Sequence, residues 1–303
     1  MNPAQAELAP HLAAAFKTAC LAELEALKPG NVHIFADGHG MVVQDFVHSA
    51  EAAAAVIAQP GLAVGQRILS AVESSWNAVG CNTNLGIILL CAPLLHAALH
   101  ANGKPLRESL HAVLQALTVA DAEYAYRAIV QASPAGLGHS ARHDVRQPPR
   151  TTLLEAMREA QHIDRIAWQY VHDFTDVIEF GAARYRYFLN AWERPAWAAT
   201  AVYLGFLSDY PDSHIARKHG ADAASAVREM AIPHEQALLA MENPKKSQRD
   251  LLDFDAELKS AGLNPGTSAD LTVASLLYAS LDSLLLATDG REAHGAGADG
   301  SVV

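Results

Sequence analysis

The segment from Leu85 to Leu99 is apolar on nearly every side of a helix, and this feature constrains the fold most. It reads LGIILLCAPLLHAAL. A helix without a polar face must be surrounded by other elements, so we expect a buried central helix. Pro93 and His96 interrupt the segment, and we find no run of about 18 apolar residues that would predict a membrane span.

The remaining periodic segments also predict helices, because apolar side chains recur at three- and four-residue spacing and no strand-like alternation is sustained. We expect these helices at about 5–27, 45–59, 63–77, 105–117, 121–131, 152–171, 175–190, 195–207, 213–230, 235–260 and 269–287. Asp45, Asp121, Thr152 with Glu155, and Ser268 are the expected helix starts.

A chain of 303 residues with this pattern is predicted to be all-α. We expect a single-domain multi-helix bundle over residues 1–287, with the site formed by polar loops between helices. Residues 288–303 are rich in Gly and Ala, and we expect them to form a disordered tail.

Five polar breaks separate the apolar helices, at 28–41, 80–84, 132–150, 208–220 and 262–270. The third break is the longest, and long loops inside compact domains are often functional. A mobile linker is the alternative for that segment.

The first break reads KPGNVHIFADGHGM and contains a cation, turn residues and a carboxylate. Lys28, Gly30 and Asn31 suit an anion, and Asp37 suits Mg²⁺. The alternative is a helix connection with an exposed lysine.

The second break places Asn82, Thr83 and Asn84 directly before the apolar helix. The N–H groups at that helix start could face an anion. Simple N-capping by one of these side chains is the alternative.

The last two breaks combine acids with cations or turn residues. Acids beside bases suit a Mg²⁺–polyphosphate complex, whereas a solvated charged helix end is the alternative. The residues concerned are Asp209, Asp212, Ser213, His214, Arg217, Lys218, His219, Asn264, Gly266, Ser268 and Asp270.

Charge and motif content exclude several classes of protein. The formal net charge is -11, which argues against a general nucleic-acid or anionic-membrane surface. No HExxH, P-loop, GxGxxG or GxSxG pattern occurs. The three cysteines show no CxxC spacing and no signal peptide is evident, so we expect a cytoplasmic protein.

Four stretches in order resemble the triphosphoribosyl-dephospho-CoA synthase family. They read KPGNVH at 28–33, CNTNLG at 81–86, SDYPDSHIARKHG at 208–220 and LNPGTSADL at 263–271. The similarity extends over about residues 10 to 287. It resembles a divergent branch found in archaea and C1-metabolising bacteria, and Leu85 stands where other members carry a lysine.

The resemblance implies an all-helical enzyme that transfers the triphosphoribosyl group of ATP to 3′-dephospho-CoA and releases adenine. Mg²⁺ is the expected cofactor, with Asp37, Asp209, Asp212 and Asp270 as candidate metal ligands or ribose contacts. Lys28, Arg217 and Lys218 are candidates for phosphate. Glu23 is the preferred base, with His33 or His214 as alternatives.

Two other functions remain open at this point. One is a related enzyme that acts on another nucleotide or on a precursor of a one-carbon carrier cofactor. The other is a helical nucleotide-binding module without turnover. ATP and a nucleotide-like acceptor are the expected partners, and a homodimer is an open alternative for the assembly.

Overall fold

A computed structural model describes residues 2–133 and 144–295. In these ranges the chain forms fourteen α-helices and no strand, which confirms the predicted all-α class. The helices are α1 Pro3–Glu25, α2 Val43–Ile57, α3 Val64–Val79, α4 Leu85–Leu99, α5 Leu106–Gln115, α6 Val119–Ala132, α7 Leu153–Ala160, α8 Arg165–Val171, α9 Ala183–Trp192, α10 Pro195–Asp209, α11 Ser213–His219, α12 Ala221–Leu239, α13 Gln248–Ser260 and α14 Gly266–Gly295. A π-helical segment, Asp176–Ala182, precedes α9, and a 3₁₀ turn, Pro244–Ser247, precedes α13.

Helix α4 lies at the centre of the bundle, as its apolar surface predicts. It packs against α1, α3, α5 and α14, and thirteen of its fifteen residues are buried. The buried position removes its apolar surface from water on all sides, which is the dominant favourable term in folding.

Helix α14 is the second core helix and packs against α1, α4 and α10. Its segment Gly266–Ala287 is long and apolar enough to cross a membrane by composition alone, although 61% of the most apolar window is buried within the protein. It is not an unbroken apolar run, because Asp270 and Asp282 lie within it. The helix continues beyond Ala287 to Gly295, and the rest of the predicted tail lies outside the described residues.

A smaller apolar cluster joins α10, α12 and α13 at one side of the main core. Leu27, Tyr203, Leu204, Phe254 and Leu258 belong to it. This cluster supports the loop that follows α1, because Leu27 and Leu258 lie directly beside that loop.

Several helices begin or end elsewhere than the sequence indicates. Asp45 and Asp121 lie at the third helical position, and their side chains accept the backbone N–H of Val42 and Thr118. A carboxylate at the third helical position accepts the N–H of the residue that precedes the helix. Such an acid lies so close to the helix start that the sequence alone suggests it as the N-cap residue. Ser268 likewise lies inside α14 rather than at its start.

Three predicted helices are divided. The segment at 235–260 splits between the end of α12 at Leu239 and α13, with the 3₁₀ turn between them. The segment at 152–171 breaks before Asp164, whose side chain accepts the N–H groups of Ile166 and Ala167 to start α8. The segment at 213–230 breaks at Gly220, which has φ +94°. Residues 134–143, which include most of the long predicted loop, lie outside the described residues.

Candidate active site

A cavity of about 640 Å³ opens between α4, α6, α7, α8, α11, α14 and the loop after α1. All five polar breaks predicted from the sequence contribute to its wall. The predicted site residues that line it are Glu23, Asn31, Asn82, Thr83, His214, Arg217, Asn264, Gly266 and Asp270. The tertiary fold therefore brings together residues that are far apart in the sequence.

Lys28 lies behind this wall and not on it. Its side chain is 0% exposed, and its ammonium donates to the Glu23 carboxylate and, at 3.0 Å, to Oδ1 of Asn31. Asn31 in turn donates to Oδ1 of Asn264 at 2.8 Å. Both sequence interpretations of Lys28, an exposed lysine and a lysine open to phosphate, disagree with this burial.

Burial and the lysine act in opposite directions on Glu23. Removal from water raises the pKa of the Glu23 carboxyl, and the ammonium of Lys28 opposes that rise. Burial likewise lowers the pKa of Lys28. The pair thus places a carboxylate in the cavity wall, with the amino group of Lys28 on its protein side.

The loop after α1 is fixed by contacts to α10, α13 and the turn before α14. Tyr203 donates to the carbonyl of Pro29 at 2.6 Å, and the N–H of Gly30 donates to Asp255 at 2.9 Å. Gly30 has φ +83°, and a Cβ there would lie 2.8 Å from Cδ of Pro265. Only glycine fits both this conformation and this close approach.

His33, a candidate base, is completely buried among the residues that hold the loop after α1 in place. Its Nδ1 accepts the N–H of Phe35 at 3.3 Å, so the ring proton belongs on Nε2, which lies 3.3 Å from Asp255. Lys259 donates to the other oxygen of Asp255 at 3.0 Å. His33 does not line the cavity, and this geometry gives it a positioning role.

Asp270 lies against the first turn of α4. A Cβ on Gly86 would come within 2.0 Å of the Asp270 carboxylate, so the missing side chain makes room for it. Burial raises the pKa of Asp270 well above its usual value, and the nearby charges of Asp212, Glu23 and Asp164 add to the rise. This carboxyl therefore binds a proton more readily than an ordinary aspartate.

Asp212 caps a helix, which its place in the sequence indicates, and it also joins two helices, which the sequence did not reveal. One carboxylate oxygen accepts the N–H groups of His214 and Ile215, at 2.9 and 3.1 Å, and starts α11. The other accepts both the N–H and the hydroxyl of Ser268, each at 2.8 Å. Asp212 thus ties α11 to α14 and does not line the cavity, so the geometry does not favour it as a metal ligand.

His214 and Arg217 are the residues of α11 that reach the cavity. Burial, together with the charges of Arg217 and Lys218, lowers the pKa of His214 to about 4, so the ring is neutral near pH 7. Its Nδ1 would lie 2.8 Å from a Cβ on Gly266, which explains the glycine at the start of α14. Arg217 lies 3.3 Å from Asp164, which also lines the cavity.

The remaining predicted site residues do not line the cavity. Asp37 is exposed and accepts the N–H of Val43 at 2.9 Å, and Asp209 is exposed at the end of α10. Asn84 donates to the Ser75 hydroxyl at 3.0 Å, and it is Asn82 whose side chain accepts the N–H of Leu85. Also outside the wall are Gly30, Ser213, Lys218, His219 and Ser268.

Sequence reasoning missed several residues of the wall and of its support. Asp164, Asp144, Glu159 and Tyr126 line the cavity, and Asp255 anchors the loop after α1. Asp164 could have been found as a helix cap, since Asp before an apolar run is a start signal. The others occur in ordinary helical or loop context and gave no signal.

Comparisons with known proteins agree with this architecture. Residues 9–289 match the family model for ATP:dephospho-CoA triphosphoribosyl transferase. A crystal structure from Archaeoglobus fulgidus, of a protein assigned as a triphosphoribosyl-dephospho-CoA synthase, shares the fold with a TM-score of 0.59 and 23% identity. The alignment covers 78% of this chain and 97% of that chain. Curated proteins yield no match.

The family match spans nearly the whole chain, and it confirms the resemblance that the four sequence stretches indicate. The chain therefore belongs to the ATP:dephospho-CoA triphosphoribosyl transferase family, and it is an enzyme that transfers the triphosphoribosyl group of ATP to dephospho-CoA.

Proposed function

We propose that transfer takes place in the cavity beside α4, with Glu23 and Asp270 as the carboxylates that act on the reacting atoms. The observation that carries this proposal is their placement. Both line the same cavity, and neither is committed to capping a helix. Asp270 in addition lies against the first turn of α4.

The triphosphate is proposed to bind at the starts of α4 and α14. The first N–H groups of a helix carry partial positive charge, which favours anions. At these two starts the N–H groups of Leu85, Gly266 and Ser268 already donate within the protein, so the helix dipoles and the remaining N–H groups would attract the triphosphate. Asn82, Thr83, Gly266 and Thr267 line the cavity at these two starts. Arg217 adds a full positive charge from α11.

Mg²⁺ would bind in this site together with the phosphates of ATP. Within the described residues, no group of three or more His, Cys, Asp or Glu side chains could hold a metal ion. Mg²⁺ commonly uses one or two carboxylates together with substrate phosphates and water. Another carboxylate of the wall, that of Glu159 or Asp164, would supply such an oxygen, and bound Mg²⁺ would neutralise phosphate charge.

The transfer step needs a proton acceptor and stabilisation of a cationic sugar. The 2′-hydroxyl oxygen of dephospho-CoA forms a bond to C1′ of the ATP ribose. The C1′–N9 bond breaks, and its electron pair leaves with adenine. A carboxylate near C1′ lowers the energy of the oxocarbenium-like transition state.

Asp270 is the proposed acceptor of the hydroxyl proton. Its raised pKa makes its carboxylate a stronger proton acceptor than that of an ordinary aspartate. Glu23 accepts a hydrogen bond from Lys28, which favours the ionised carboxylate, and it is proposed to face the developing positive charge on the sugar. The sequence suggested Glu23 as the base. We propose Asp270 for that role and assign Glu23 to the sugar, because Lys28 stabilises the ionised form of Glu23.

The test is mass spectrometry of reactions that contain ATP, dephospho-CoA and Mg²⁺, with the wild type, Asp270→Asn and Glu257→Gln. Glu257 is exposed on α13 and lies outside the cavity wall, so its variant is the matched control. We expect the wild type and the control to release adenine and form the triphosphoribosyl product, and Asp270→Asn to be at least a hundredfold slower, the order of effect expected for a general base. Equal rates in all three would contradict the proposed site.

A titration of Mg²⁺ in the same assay tests the metal. We expect adenine release to cease when the metal is chelated and to return when Mg²⁺ is restored. A cytoplasmic location and a homodimer remain predictions, which fractionation and sedimentation would check.

A further inference from the structure

One part of the cavity is apolar, in contrast to the part around Glu23 and Asp270. Apolar side chains from four helices form its walls, and these are Leu89 of α4, Ile129 of α6, Leu153 and Met157 of α7, and Ile166 of α8. A Cβ on Gly86 would meet both Asp270 and, at 2.9 Å, Cδ1 of Ile166, so this apolar part begins beside Asp270, and Leu89 continues it one helical turn along α4. A flat apolar group fits such walls better than a phosphate does, because burying a charge there is costly.

One polar atom in this apolar part lacks a partner. The hydroxyl of Tyr126, on α6, is buried and has no hydrogen-bond partner in the part of the chain that the structure describes. The Tyr126 side chain is 5% exposed and lines the cavity. Buried hydroxyls normally have a partner, and leaving one unpaired costs free energy.

We propose that the apolar part of the cavity holds the adenine of ATP, and that the Tyr126 hydroxyl donates a hydrogen bond to a ring nitrogen of the purine. This inference rests on the proposed site of transfer. A purine has an apolar face for the walls and acceptor nitrogens at its edge, and it is the part of ATP without charge.

The protonation state of the Tyr126 hydroxyl agrees with a role as hydrogen-bond donor. Burial raises the pKa of Tyr126, and the charge of Asp144 raises it further, so the O–H stays protonated at neutral pH. When the C1′–N9 bond breaks, its electron pair moves onto the leaving purine. A hydrogen bond to a ring nitrogen strengthens as that charge develops, and it therefore favours departure more than binding. The proton stays on Tyr126 in this step, the hydroxyl proton of the acceptor moves to Asp270, and the leaving purine takes its proton from water, so that neutral adenine is released.

Tyr170 provides a matched comparison. Its side chain is 1% exposed, and its hydroxyl donates to the carbonyl of Leu89 at 2.6 Å. Tyr170 does not line the cavity. Loss of this hydroxyl leaves a core carbonyl unpaired, whereas loss of the Tyr126 hydroxyl removes a buried group that has no partner without substrate.

The experiment measures kcat/KM of the wild type, Tyr126→Phe and Tyr170→Phe with ATP and with 1-deaza-, 3-deaza- and 7-deaza-ATP. We expect Tyr126→Phe to lower kcat/KM for ATP about five- to a hundredfold, since an acceptor is left unpaired in a buried site. For the analogue that lacks the bonded nitrogen, the wild type and Tyr126→Phe should be nearly equal. The melting temperature of Tyr126→Phe without ligand should not fall.

Tyr170→Phe should show the opposite pattern, with a lower melting temperature and the same ratio to wild type for all four nucleotides. If Tyr126→Phe is equally slow with all four nucleotides, or unchanged with ATP, the inference is wrong while the proposed site stands. If the wild type releases no adenine from ATP, the proposed function itself fails. Competitive inhibition by adenine and its deaza analogues gives a second readout, and Tyr126→Phe should weaken only inhibitors that keep the bonded nitrogen.

Discussion

Lys28 donates to the Glu23 carboxylate inside the protein, and of the two only Glu23 reaches the cavity. The lysine therefore acts on the site through the glutamate. This relationship changes what a substitution at Lys28 should do, because the free protein and the reaction both depend on the pair.

Lys28→Met should destabilise the free protein strongly. Removal of one partner leaves a buried charge without compensation, and the loss is typically about 3–5 kcal/mol. The double variant Lys28→Met with Glu23→Gln should recover much of this stability but little activity. Urea denaturation together with adenine release checks both results.

The control is Lys17→Met, which breaks an ion pair with Glu51 whose two side chains are 41% and 48% exposed. Such exposed pairs contribute little to stability because water screens them, so the urea midpoint of Lys17→Met should hardly move. If Lys28→Met unfolds at the same urea concentration as the wild type, the buried pair does not stabilise the fold.

Asp270→Asn should lose activity while the free protein keeps or gains stability. The pKa of Asp270 is raised in the folded state, so the ionised carboxylate opposes folding. Its contribution to stability is greatest below the unfolded pKa and is lost as pH rises through the folded pKa. The asparagine amide does not ionise, so the variant does not lose stability in this way. Its free energy of unfolding relative to that of the wild type should therefore increase as the pH rises above about 4. Denaturation series from pH 4 to 8 measure the difference, and a destabilised variant throughout that range would contradict this account.

Asp212→Asn should have the reverse effect, with lower stability and little change in Mg²⁺ dependence. An amide keeps one acceptor oxygen, and therefore it can satisfy only one of the two sets of donors on α11 and α14. We expect a loss of about 1–3 kcal/mol from the donors left unpaired. Asp209→Asn, at the exposed end of α10, is the control and should be close to wild type in both measurements. A changed Mg²⁺ requirement in Asp212→Asn would restore the metal interpretation.

His214 should make the stability of the protein fall in mild acid. Its pKa is about 4 in the folded state and about 6.5 when unfolded, so between these values the unfolded chain binds more protons. Stability is then complete above pH 6.5 and decreases towards pH 4, by at most about 1.4 kcal/mol per unit for this group. His214→Gln should show a smaller decrease.

His96 offers a control for the same measurement. Its pKa is also lowered to about 4 by burial, but it lies outside the cavity wall. His96→Gln should flatten the pH dependence of stability to a similar degree and leave adenine release unchanged. If neither variant changes the slope between pH 4.5 and 6.5, these rings are not the source of the acid sensitivity.

The sequence by itself determined the class of the fold and the place of the site along the chain. An apolar surface on every side of Leu85–Leu99 leaves a central helix as its only stable position, and the structure has it there. Proline, glycine and polar residues could only lie between helices, and all five such breaks contribute to the cavity. The four stretches within them also carried the family resemblance.

Only the tertiary structure decided which of these residues face the cavity. Lys28, His33 and Asp212 resemble site residues in the sequence, but packing against Glu23, Asp255 and Ser268 places them in its support. Tyr126 lies within α6 and carries no local signal, and the cap signal of Asp164 does not show that its side chain also lines the cavity. Local pattern shows that a residue is polar, whereas the direction of its side chain depends on the packing around it, including long-range contacts such as those of His33 with Asp255 and of Asp212 with Ser268. Those long-range contacts decide whether a charge meets water, substrate or a partner inside the protein.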